Sequence, residues 1–427
     1  MRVWIVTIGE PLIIDGSNVR LLRSGILANK LVENGHDVIF FNSTFNHVSK
    51  KQRYSQNKLI NISDRLKLFL IKSTGYKHNV SLMRLVDHYI IARKFNKSAK
   101  KLVAPDLIFC SLPTIELAYF SVLLGKKFDI PIIIDVRDLW PDIFYRNSLN
   151  IFKKGILNFL FLPSKQKLKF IFSHCTSIVG ITKSFVSWAE NKTDKPIYLS
   201  NKNFPLSNQT PSFSITELEV ADNFWDSLGV LKVDSNFNIC LFASFGNVID
   251  IITIIKSAKV LQKMNSNAKF IICGDGEKAN DYKSLSEGLE NVIFVGWVNS
   301  LHIYTLMLRS HVGILPYKNM FDFQMSIPNK VIEYLSASLP VLTCLKGEVK
   351  SLVETFNCGE FYDEGDHEDL ANKVSFLRDN YLTNNYRSNS HHLYKTHFDS
   401  TKVYDGMINH IEETINNYKI ERRKKLH

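Results

Sequence analysis

The segment SIPNKVIEYLSASLPVL (326–342) carries the residues whose types and spacing are best suited to chemistry. Pro328 fits the first turn of a helix, where its missing N–H costs nothing. The backbone N–H groups of Asn329 and Lys330 would then lie at a helix N-terminus, which attracts anions. Glu333 falls on the same face of the helix, and its carboxylate could accept hydrogen bonds from two hydroxyls, such as those of a ribose. The segment therefore predicts a site for a nucleotide phosphate, although an amphipathic helix with an exposed glutamate would give the same pattern.

Two glycine-containing turns follow apolar segments that are typical of strands. FASFGN (242–247) contains Gly246 and Asn247, and ICGDGE (272–277) contains Gly274. Backbone N–H groups in such strand-to-helix turns can face a phosphate. Glycine turns are also common at ordinary strand–helix junctions, so each turn alone is open to either interpretation.

A third polar segment, DVRDLWPD (135–142), directly follows an apolar strand pattern. The residues that it places at the carboxyl end of that predicted strand are Asp135, Arg137, Asp138 and Asp142. Ligands bind at this position in open α/β sheets. The same residues could instead form an Arg–Asp ion pair and helix caps.

The loop after the first predicted strand, GEPLIIDGSNVRLLRSG (9–25), offers a further ligand site. Gly16 can adopt a positive φ and let a ligand approach the backbone, and Ser17 or Asn18 can cap the next helix. Because the loop contains no G-x-G-x-x-G pattern, it does not favour a dinucleotide-dependent dehydrogenase. An ordinary strand-to-helix turn is the alternative.

Short apolar runs alternate with longer amphipathic stretches along the chain. Near-continuous runs of Ile, Val, Leu and Phe are typical of parallel strands that are buried on both faces. The alternation occurs twice, which predicts an α/β protein with two doubly wound, Rossmann-like domains. The predicted strands are 2–8, 37–41, 106–110, 131–135, 175–180, 197–200, 238–243, 268–273, 291–295, 311–315 and 340–343. The predicted helices are 18–34, 83–103, 114–127, 183–190, 250–264, 328–338 and 367–380.

A change in charge coincides with the predicted boundary between the two domains. Residues 1–200 carry 30 Lys and Arg against 14 Asp and Glu, whereas residues 201–427 carry 23 against 27. Because NKNFPLSNQTPSFS is rich in Asn, Ser and Pro, we place a linker region at 201–235, between domains 1–200 and 236–395. Residues 396–427 are predicted to form a C-terminal helix with a basic tail.

Composition excludes several classes of protein. With 427 residues, 45% hydrophobic and 22% charged, the chain is not disordered, and no apolar run is long enough to span a bilayer. Its start, MRVWIVTIGEP, has too short an apolar core for a signal peptide. The six cysteines are scattered without a C-x-x-C motif, so we expect buried, reduced cysteines and no metal site. No basic-aromatic recognition motif accompanies the net charge of +12, which disfavours a nucleic-acid binder.

These segments together resemble a retaining glycosyltransferase of family four with the GT-B architecture, over nearly the whole chain. FASFGN, FIICGDGE, NVIFVGW and IPNKVIEYLSASLPVL follow the family's order and spacing, and VRLLRSGILANKLVENGHDVIFFNSTF resembles its first helix and second strand. DVRDLWPD and IVGITKSFVSW resemble a bacterial branch that builds surface polysaccharides such as O-antigen or capsule. Within that branch the chain is most similar to transferases of N-acetylated amino or deoxyamino sugars.

The resemblance implies two Rossmann-like domains that face each other across a cleft. The C-terminal domain would hold the donor and the N-terminal domain the acceptor, while the last helix would return to the N-terminal domain. The implied donor-binding residues are Gly246, Asn247, Gly274, Gly296, Trp297, Asn329, Lys330 and Glu333. Of these, Gly246 would lie near the diphosphate, Asn329 and Lys330 beside the phosphates, Glu333 at the ribose, and Gly296–Trp297 by the base.

The acceptor side has fewer candidates. The residues expected there are Gly16, Ser17, Asn18 and Arg137. The segment SLPTIE (111–116) occupies the place of the family's catalytic-loop histidine and offers Thr114 and Glu116 as polar groups. The candidate catalytic residues are therefore Lys330, Glu116 and Asp138.

Three positions depart from the family pattern. Met325 stands eight residues before Glu333, where the family has the first of two glutamates. Asn247 and Ile252 stand where it has a basic pair. Lys330, Lys256 or another group must then meet the charge of the donor phosphates.

The implied activity is metal-independent transfer of a sugar from a nucleotide-sugar donor, expected to be UDP-linked, to a lipid-linked saccharide acceptor. The nucleotide sugar is a substrate, and no cofactor is expected. Two alternatives stay open: a nucleotide-sugar epimerase of the same architecture, and a catalytically weak partner subunit that binds a sugar nucleotide.

Two basic segments could contact a membrane. Residues 151–174 and 65–78 interleave lysines with Phe and Leu, a composition that can lie on an anionic surface. We therefore expect a cytoplasmic protein that is peripheral at the inner face of the cell membrane. Core-facing helices with solvated lysines are the alternative.

Overall fold

The computed structural model describes residues 1–16, 19–79, 81–147, 150–194, 201–207, 212–231 and 236–426. The chain divides into two compact units. The N-terminal unit comprises Met1–Pro205 together with Thr401–His427, and the C-terminal unit is Leu206–Ser400.

The Ile-, Val-, Leu- and Phe-rich runs of the N-terminal unit form one large sheet. Their side chains are buried on both faces of the sheet, as is typical of parallel strands. Its strands are β1 (Arg2–Val6), β2 (Asp37–Ser43), β3 (Phe45–Asn46), β4 (Lys51–Gln52), β5 (Lys58–Asn61), β6 (Leu66–Ile71), β7 (Leu107–Leu112), β8 (Ile132–Val136), β9 (Ser177–Gly180) and β10 (Lys202–Asn203). Eight of them form a sheet in the order β10-β9-β8-β7-β1-β2-β6-β5, while β3 and β4 form a separate pair. The large sheet is parallel except for β5, which is antiparallel to β6.

Helices connect these strands, as the alternating pattern predicts. They are α1 (Arg23–Glu33), α2 (Leu82–Ala99), α3 (Ile115–Phe128), α4 (Asp142–Arg146), α5 (Ile151–Leu160), α6 (Leu162–His174) and α7 (Lys183–Glu190). A short 3₁₀ turn at Ile13–Asp15 precedes α1.

The C-terminal unit has a six-stranded, fully parallel sheet. Its strands are β11 (Phe237–Phe242), β12 (Ala268–Cys273), β13 (Val292–Gly296), β14 (Val312–Leu315), β15 (Val341–Thr343) and β16 (Gly359–Phe361). The order β13-β12-β11-β14-β15-β16 is that of a doubly wound sheet. The helices are α8 (Ile215–Ser227), α9 (Ile251–Lys263), α10 (Ala279–Leu285), α11 (Ser300–Leu308), α12 (Phe321–Met325), α13 (Asn329–Ser336), α14 (Glu348–Phe356), α15 (His367–Asp379) and α16 (Tyr386–Leu393). The predicted α/β class with two Rossmann-like domains is confirmed.

Two segments differ from their sequence-based interpretation. The linker region expected at 201–235 contains helix α8, whose Trp225 is buried in the core of the C-terminal unit and donates to Thr305 Oγ1 at 2.9 Å. Residues 65–78, interpreted as a membrane-facing segment, contain β6, which pairs with β2 and buries most of its side chains. The predicted strand 197–200 lies outside the described residues.

One long helix, α17 (Ser400–Leu426), ends the chain. Its apolar side chains join the core of the N-terminal unit, and they include Val403, Tyr404, Met407, Ile408, Ile411 and Ile415. Ion pairs link its polar face to the same unit, with Lys419 at 3.1 Å from Asp106 and Arg422 at 2.6 Å from Asp129.

Buried His410 on α17 makes the stability of the N-terminal unit depend on pH. Its Nε2 lies 2.9 Å from Ser177 Oγ, and burial together with nearby Lys202 lowers its pKa to about 4. The unfolded chain binds the proton better than the folded chain between the two pKa values, so stability is present above about pH 6.5 and is lost as the pH falls towards 4. We expect His410 to account for a loss of about 2 kcal/mol in the free energy of unfolding between pH 7 and pH 5.

Urea unfolding of the wild type and His410→Gln at both pH values measures this loss. The variant should show the smaller drop between pH 7 and pH 5. Buried His88 has a pKa lowered to about 4 and contributes with the same sign in both proteins, so the comparison isolates His410. An equal drop in the two proteins would contradict the assignment.

Two further observations concern the described residues. The six cysteines are buried and free, as predicted. Of the helices that the structure describes, none combines the length and the apolar character that a membrane span requires.

Candidate functional site

The strand order of the C-terminal unit reverses between β11 and β14, and a ligand crevice forms at such a point beyond the carboxyl ends of the strands. The loops that follow these two strands are joined by backbone hydrogen bonds. Asp250 N donates to Pro316 O at 2.9 Å, and Lys318 N donates to Val248 O at 3.0 Å. The two loops therefore form one continuous surface at the switch point.

Gly246 and Asn247 lie exposed in the loop after β11. Gly274, in the turn after β12, has a φ of +146°, and a Cβ atom there would lie 1.8 Å from Ala243 O. Only glycine lets these two backbones approach so closely. Gly274 therefore supports the loop that carries Gly246, in addition to any contact of its own with a ligand.

Helix α13 is anchored under the same edge of the sheet by Tyr334. The hydroxyl of this fully buried residue lies 3.1 Å from Ile314 O on β14 and 3.3 Å from Cys240 O on β11. A Cβ atom on Gly313 would lie 2.3 Å from the Tyr334 ring, so glycine is required for the ring to fit. Because α13 follows β14 in the parallel sheet, its N-terminus starts at the carboxyl edge.

The predicted anion site begins at this N-terminus. Pro328 is the N-cap residue and provides no side-chain hydrogen bond to the first turn. Val331 N donates to Pro328 O at 3.0 Å, so the N–H groups that the uncapped helix start offers to a ligand are those of Asn329 and Lys330.

The Lys330 ammonium group donates to Tyr317 Oη at 2.9 Å, which leaves two of its three N–H donors. Asn329 is exposed and Glu333 is half-buried one turn along the helix. Asn329, Lys330 and Glu333 thus lie within the first two turns of α13.

Trp297 provides an exposed aromatic surface at the end of β13. Its side chain is 78% exposed, which is unusual for the largest aromatic residue. Gly296 before it has a φ of +89°, and its carbonyl accepts a hydrogen bond of 2.7 Å from Gly274 N. This bond connects the predicted base-binding position to the glycine turn after β12.

Lys318 is a candidate phosphate ligand that the sequence reasoning missed. It is exposed in the loop after β14, and its backbone is bonded to the loop that contains Gly246. The available signal was a lysine just after a predicted parallel strand. Lys318 adds positive charge to the edge where Asn247 is neutral. The start of α9, by contrast, is capped by Asp250, which accepts from Thr253 N at 3.2 Å.

The polar segment after β8 forms a buried ion network in the N-terminal unit. Asp135 has a fully buried side chain and accepts a bidentate pair from Arg23, at 3.0 and 3.1 Å, and a bond of 2.6 Å from Arg137 Nε. Arg137 also donates to Glu10 and, at 2.6 Å, to Ser24 Oγ. Two guanidinium groups thus face two carboxylates.

This network determines the charge state of its members. Burial alone would raise the pKa of Asp135, but the charges of Arg23 and Arg137 outweigh it and hold the pKa below its usual value. Asp135 and Glu10 likewise outweigh burial and raise the pKa of Arg137. The Arg–Asp ion pair that the sequence left open as an alternative is therefore present. It engages the guanidinium group of Arg137, which the sequence analysis assigned to the side that binds the acceptor substrate.

The other candidate residues of the N-terminal unit lie at three different positions. Glu116 lies in the first turn of α3 and accepts from Lys167 of α6 at 3.0 Å. Asp138 is half-buried directly after β8 and accepts from the backbone N–H of Leu139 at 2.7 Å. Gly16 follows the 3₁₀ turn with a φ of +155°.

Two candidates cannot be placed, and one residue has a structural role. Ser17 and Asn18 lie outside the described residues. Asp142 is buried and accepts from Trp188 Nε1 at 3.0 Å and from Lys192 Nζ at 2.6 Å. Its contacts therefore hold α4 against α7.

Comparisons with known proteins identify a family match for part of the chain. Residues 237–380, which contain the switch point and α13, match the family Glycosyl transferases group 1. No curated protein sequence matches the chain significantly.

Several solved structures are similar over almost the full length. Sucrose-phosphate synthase from Thermosynechococcus elongatus has a TM-score of 0.64 at 12% identity, over 97% of this chain and 99% of that one. HepE of Anabaena in complex with UDP has 0.62 at 14% identity, over 96% and 99%. The lipopolysaccharide outer core galactosyltransferase WaaB has 0.57 at 13% identity, over 99% and 100%. These likenesses show that the chain has the GT-B fold.

Proposed function

We propose that this protein is a glycosyltransferase that moves a sugar from a UDP-linked donor to a lipid-linked saccharide acceptor during the synthesis of a surface polysaccharide. The observation that carries the proposal is the arrangement at the switch point of the C-terminal unit, where Lys330 and the uncapped start of α13 lie beside the loops after β11 and β14. The match of residues 237–380 to Glycosyl transferases group 1 and the complex of the similar HepE with UDP support it.

Each part of the nucleotide-sugar donor is assigned to residues that the structure describes. The diphosphate binds to the first N–H groups of α13, with Lys330 and Lys318 supplying positive charge. The ribose hydroxyls donate to Glu333, and the base lies against Trp297. The resemblance of DVRDLWPD and IVGITKSFVSW to one bacterial branch supports an N-acetylated amino or deoxyamino sugar as the transferred group.

The reaction requires stabilisation of the departing diphosphate. The bond between the anomeric carbon and the diphosphate oxygen breaks, and an acceptor hydroxyl bonds to that carbon from the same face, so the configuration is retained. The hydroxyl proton passes to a phosphate oxygen of the leaving group. Lys330 and the dipole of α13 lower the energy of the charge that develops on that group.

Replacing Glu333 by alanine tests the donor assignment. We expect the affinity for UDP to fall by on the order of 1–3 kcal/mol, because the ribose hydroxyls lose a charged acceptor. Isothermal titration calorimetry with UDP measures the change. The matched control is Glu287→Ala, an exposed glutamate elsewhere in the same unit, which should bind UDP like the wild type. Equal affinities in all three proteins would exclude the ribose role.

Product analysis distinguishes transfer from the alternatives. Release of UDP that depends on an added acceptor supports the transferase, whereas an epimerised sugar nucleotide without acceptor would indicate an epimerase. Asn247 and Met325 stand where the family has charged residues, which favours a catalytically weak subunit as the second candidate. Binding of UDP without turnover of any donor would support that candidate.

The acceptor side is proposed to work at the inner face of the cell membrane. Helix α5 has no buried residue, and its large apolar side chains are exposed together with Lys153 and Lys154. An exposed patch of this kind marks an interaction surface, and the lysines suit an anionic bilayer. We therefore place the protein in the cytoplasm, held to the membrane through α5.

A further inference from the structure

Three basic side chains surround one tyrosine beyond the carboxyl ends of β2 and β6. This cation cluster consists of His47, Lys50 and Arg84 around Tyr76. His47 Nδ1 lies 2.7 Å from Tyr76 Oη. The ammonium of Lys50 and the guanidinium of Arg84 lie 5.0 and 5.6 Å from the ring centroid of Tyr76. Lys50 Nζ is also only 3.3 Å from His47 Nδ1.

The carboxylate next to the cluster on α2 is already engaged. Asp87 is buried and accepts hydrogen bonds from Ser73 Oγ (2.5 Å), Thr74 N (2.7 Å), Thr74 Oγ1 (2.8 Å) and Gly75 N (2.9 Å). These bonds shape the turn after β6 that carries Tyr76. Asp87 therefore stabilises the turn. Among the described residues, no hydrogen bond joins Arg84 to Asp87.

The basic groups repel one another. Burial and the charges of Lys50 and Arg84 lower the pKa of His47, and burial and Arg84 lower the pKa of Lys50. Arg84 Nη1 donates to Asn79 O at 2.8 Å, but Arg84 Nε is buried without a hydrogen-bond partner. Holding like charges together with an unsatisfied buried donor is unfavourable, and a bound anion would offset both costs.

The cluster borders two exposed apolar surfaces. The first two turns of α2 expose apolar side chains on one face, namely Leu82, Met83, Leu85, Val86 and Tyr89. On the other side, Arg84 lies 4.8 Å from the Trp140 ring, which contacts Phe144, which stacks on Phe161 at the end of α5. A ligand in the cluster would therefore have an anionic group next to surfaces that suit a hydrocarbon chain.

We infer that the cation cluster binds the phosphate group of a lipid-linked acceptor, with the lipid chain directed to the apolar faces of α2 and α5. The inference rests on the proposed function and names where the acceptor is held. Arg84 provides the unsatisfied Nε donor. The Lys50 ammonium donates to Asn79 Oδ1 at 2.5 Å and lies near His47 Nδ1, which leaves one of its three N–H donors. Both side chains therefore contribute charge-assisted hydrogen bonds to phosphate oxygens.

Calorimetric titration with farnesyl diphosphate tests the site in the full-length protein at low salt. The double variant Lys50→Gln/Arg84→Gln should bind at least about tenfold more weakly than the wild type, because two charged donors are lost. Arg93→Gln, on the same helix but outside the cluster, is the matched control and should bind normally. Arg84→Lys keeps the charge and should recover part of the affinity.

Two further ligands identify the source of the anion. Farnesol, which lacks the phosphates, should bind much more weakly than farnesyl diphosphate. Inorganic pyrophosphate should also bind more weakly, since it lacks the chain. If pyrophosphate and farnesyl diphosphate bound with equal affinity, the ligand of the site would be a free phosphate compound and not a lipid headgroup. Unchanged binding of farnesyl diphosphate to the double variant would overturn the site.

UDP binding separates this inference from the proposed function. Loss of farnesyl diphosphate binding with intact UDP binding supports the acceptor site. If the wild type bound farnesyl diphosphate through the cluster but bound no UDP, the transferase proposal would fail and the anion site would stand. If the double variant lost both ligands, the single variant Lys50→Gln would decide. We expect this variant to bind UDP like the wild type and farnesyl diphosphate more weakly. Normal affinity of Lys50→Gln for farnesyl diphosphate would contradict the site.

Discussion

Replacing Asp135 by alanine should destabilise the N-terminal unit by about 3–5 kcal/mol, the typical cost of removing one partner from a buried charged network. The side chain is fully buried between Arg23 and Arg137, and the two guanidinium groups left behind are largely shielded from water, with 4% and 16% of their side chains exposed. The two guanidinium groups would then repel each other across the vacated space, with Glu10 still paired to Arg137. This loss is a large part of the stability of an ordinary domain.

Urea unfolding followed by circular dichroism measures the effect. Asp194→Ala is the matched control, since it removes an exposed ion pair with Lys169, and exposed pairs contribute little. Its unfolding midpoint should match that of the wild type. A midpoint for Asp135→Ala within error of the wild type would show that the network is not required for folding.

The double substitution Phe152→Ser/Phe159→Ser in α5 should abolish binding to anionic vesicles. The two side chains are 84% and 72% exposed, so their removal leaves the interior of the unit unchanged. Transfer of both rings into a bilayer contributes about 3 kcal/mol or more, which corresponds to at least a hundredfold in partitioning. Co-sedimentation with phosphatidylglycerol vesicles measures the bound fraction.

The control and the salt dependence complete this experiment. Leu382→Ser removes an exposed apolar side chain of the C-terminal unit and should bind vesicles like the wild type. High salt should weaken wild-type binding, because it screens the lysines of α5. Equal sedimentation of the double variant and the wild type at low salt would exclude α5 as the membrane contact.

The sequence pattern predicted most of the strands of the two sheets, because the apolar character of a short segment is enough to indicate a buried parallel strand. The runs that became β1, β2, β7, β8, β11, β12 and β14 are apolar on both faces, and helix 183–190 was predicted with its observed bounds. At α13 the pattern was equally local, since Pro328, Asn329, Lys330 and Glu333 lie within one helix start.

Features that depend on distant contacts could not be predicted. Arg137 meets Glu10 and Ser24, more than 100 residues earlier in the chain. Nothing in the segment DVRDLWPD indicates those partners. Lys318 gains its position only because the loops after β11 and β14 pair.

Residues 65–78 show a different limit. The segment alternates lysines with apolar residues, and alternation of this kind fits a membrane-facing segment and a strand equally well. Only the pairing of β6 with β2 decides between them. The exposed α5 has a similar composition, but it packs chiefly against neighbouring α4 and α6 and keeps its apolar side chains outside.

The place of α17 also sets an order for the synthesis of the protein. The C-terminal unit is one continuous segment, Leu206–Ser400, so every residue that it needs has been translated before the ribosome reaches α17. The strands of the N-terminal unit that the structure describes are translated much earlier, yet the core of this unit lacks Tyr404, Met407 and Ile411 until α17 has been translated. A nascent chain therefore carries a complete second unit and an incomplete first one. Until α17 is complete, the uncovered core of the first unit is exposed to aggregation.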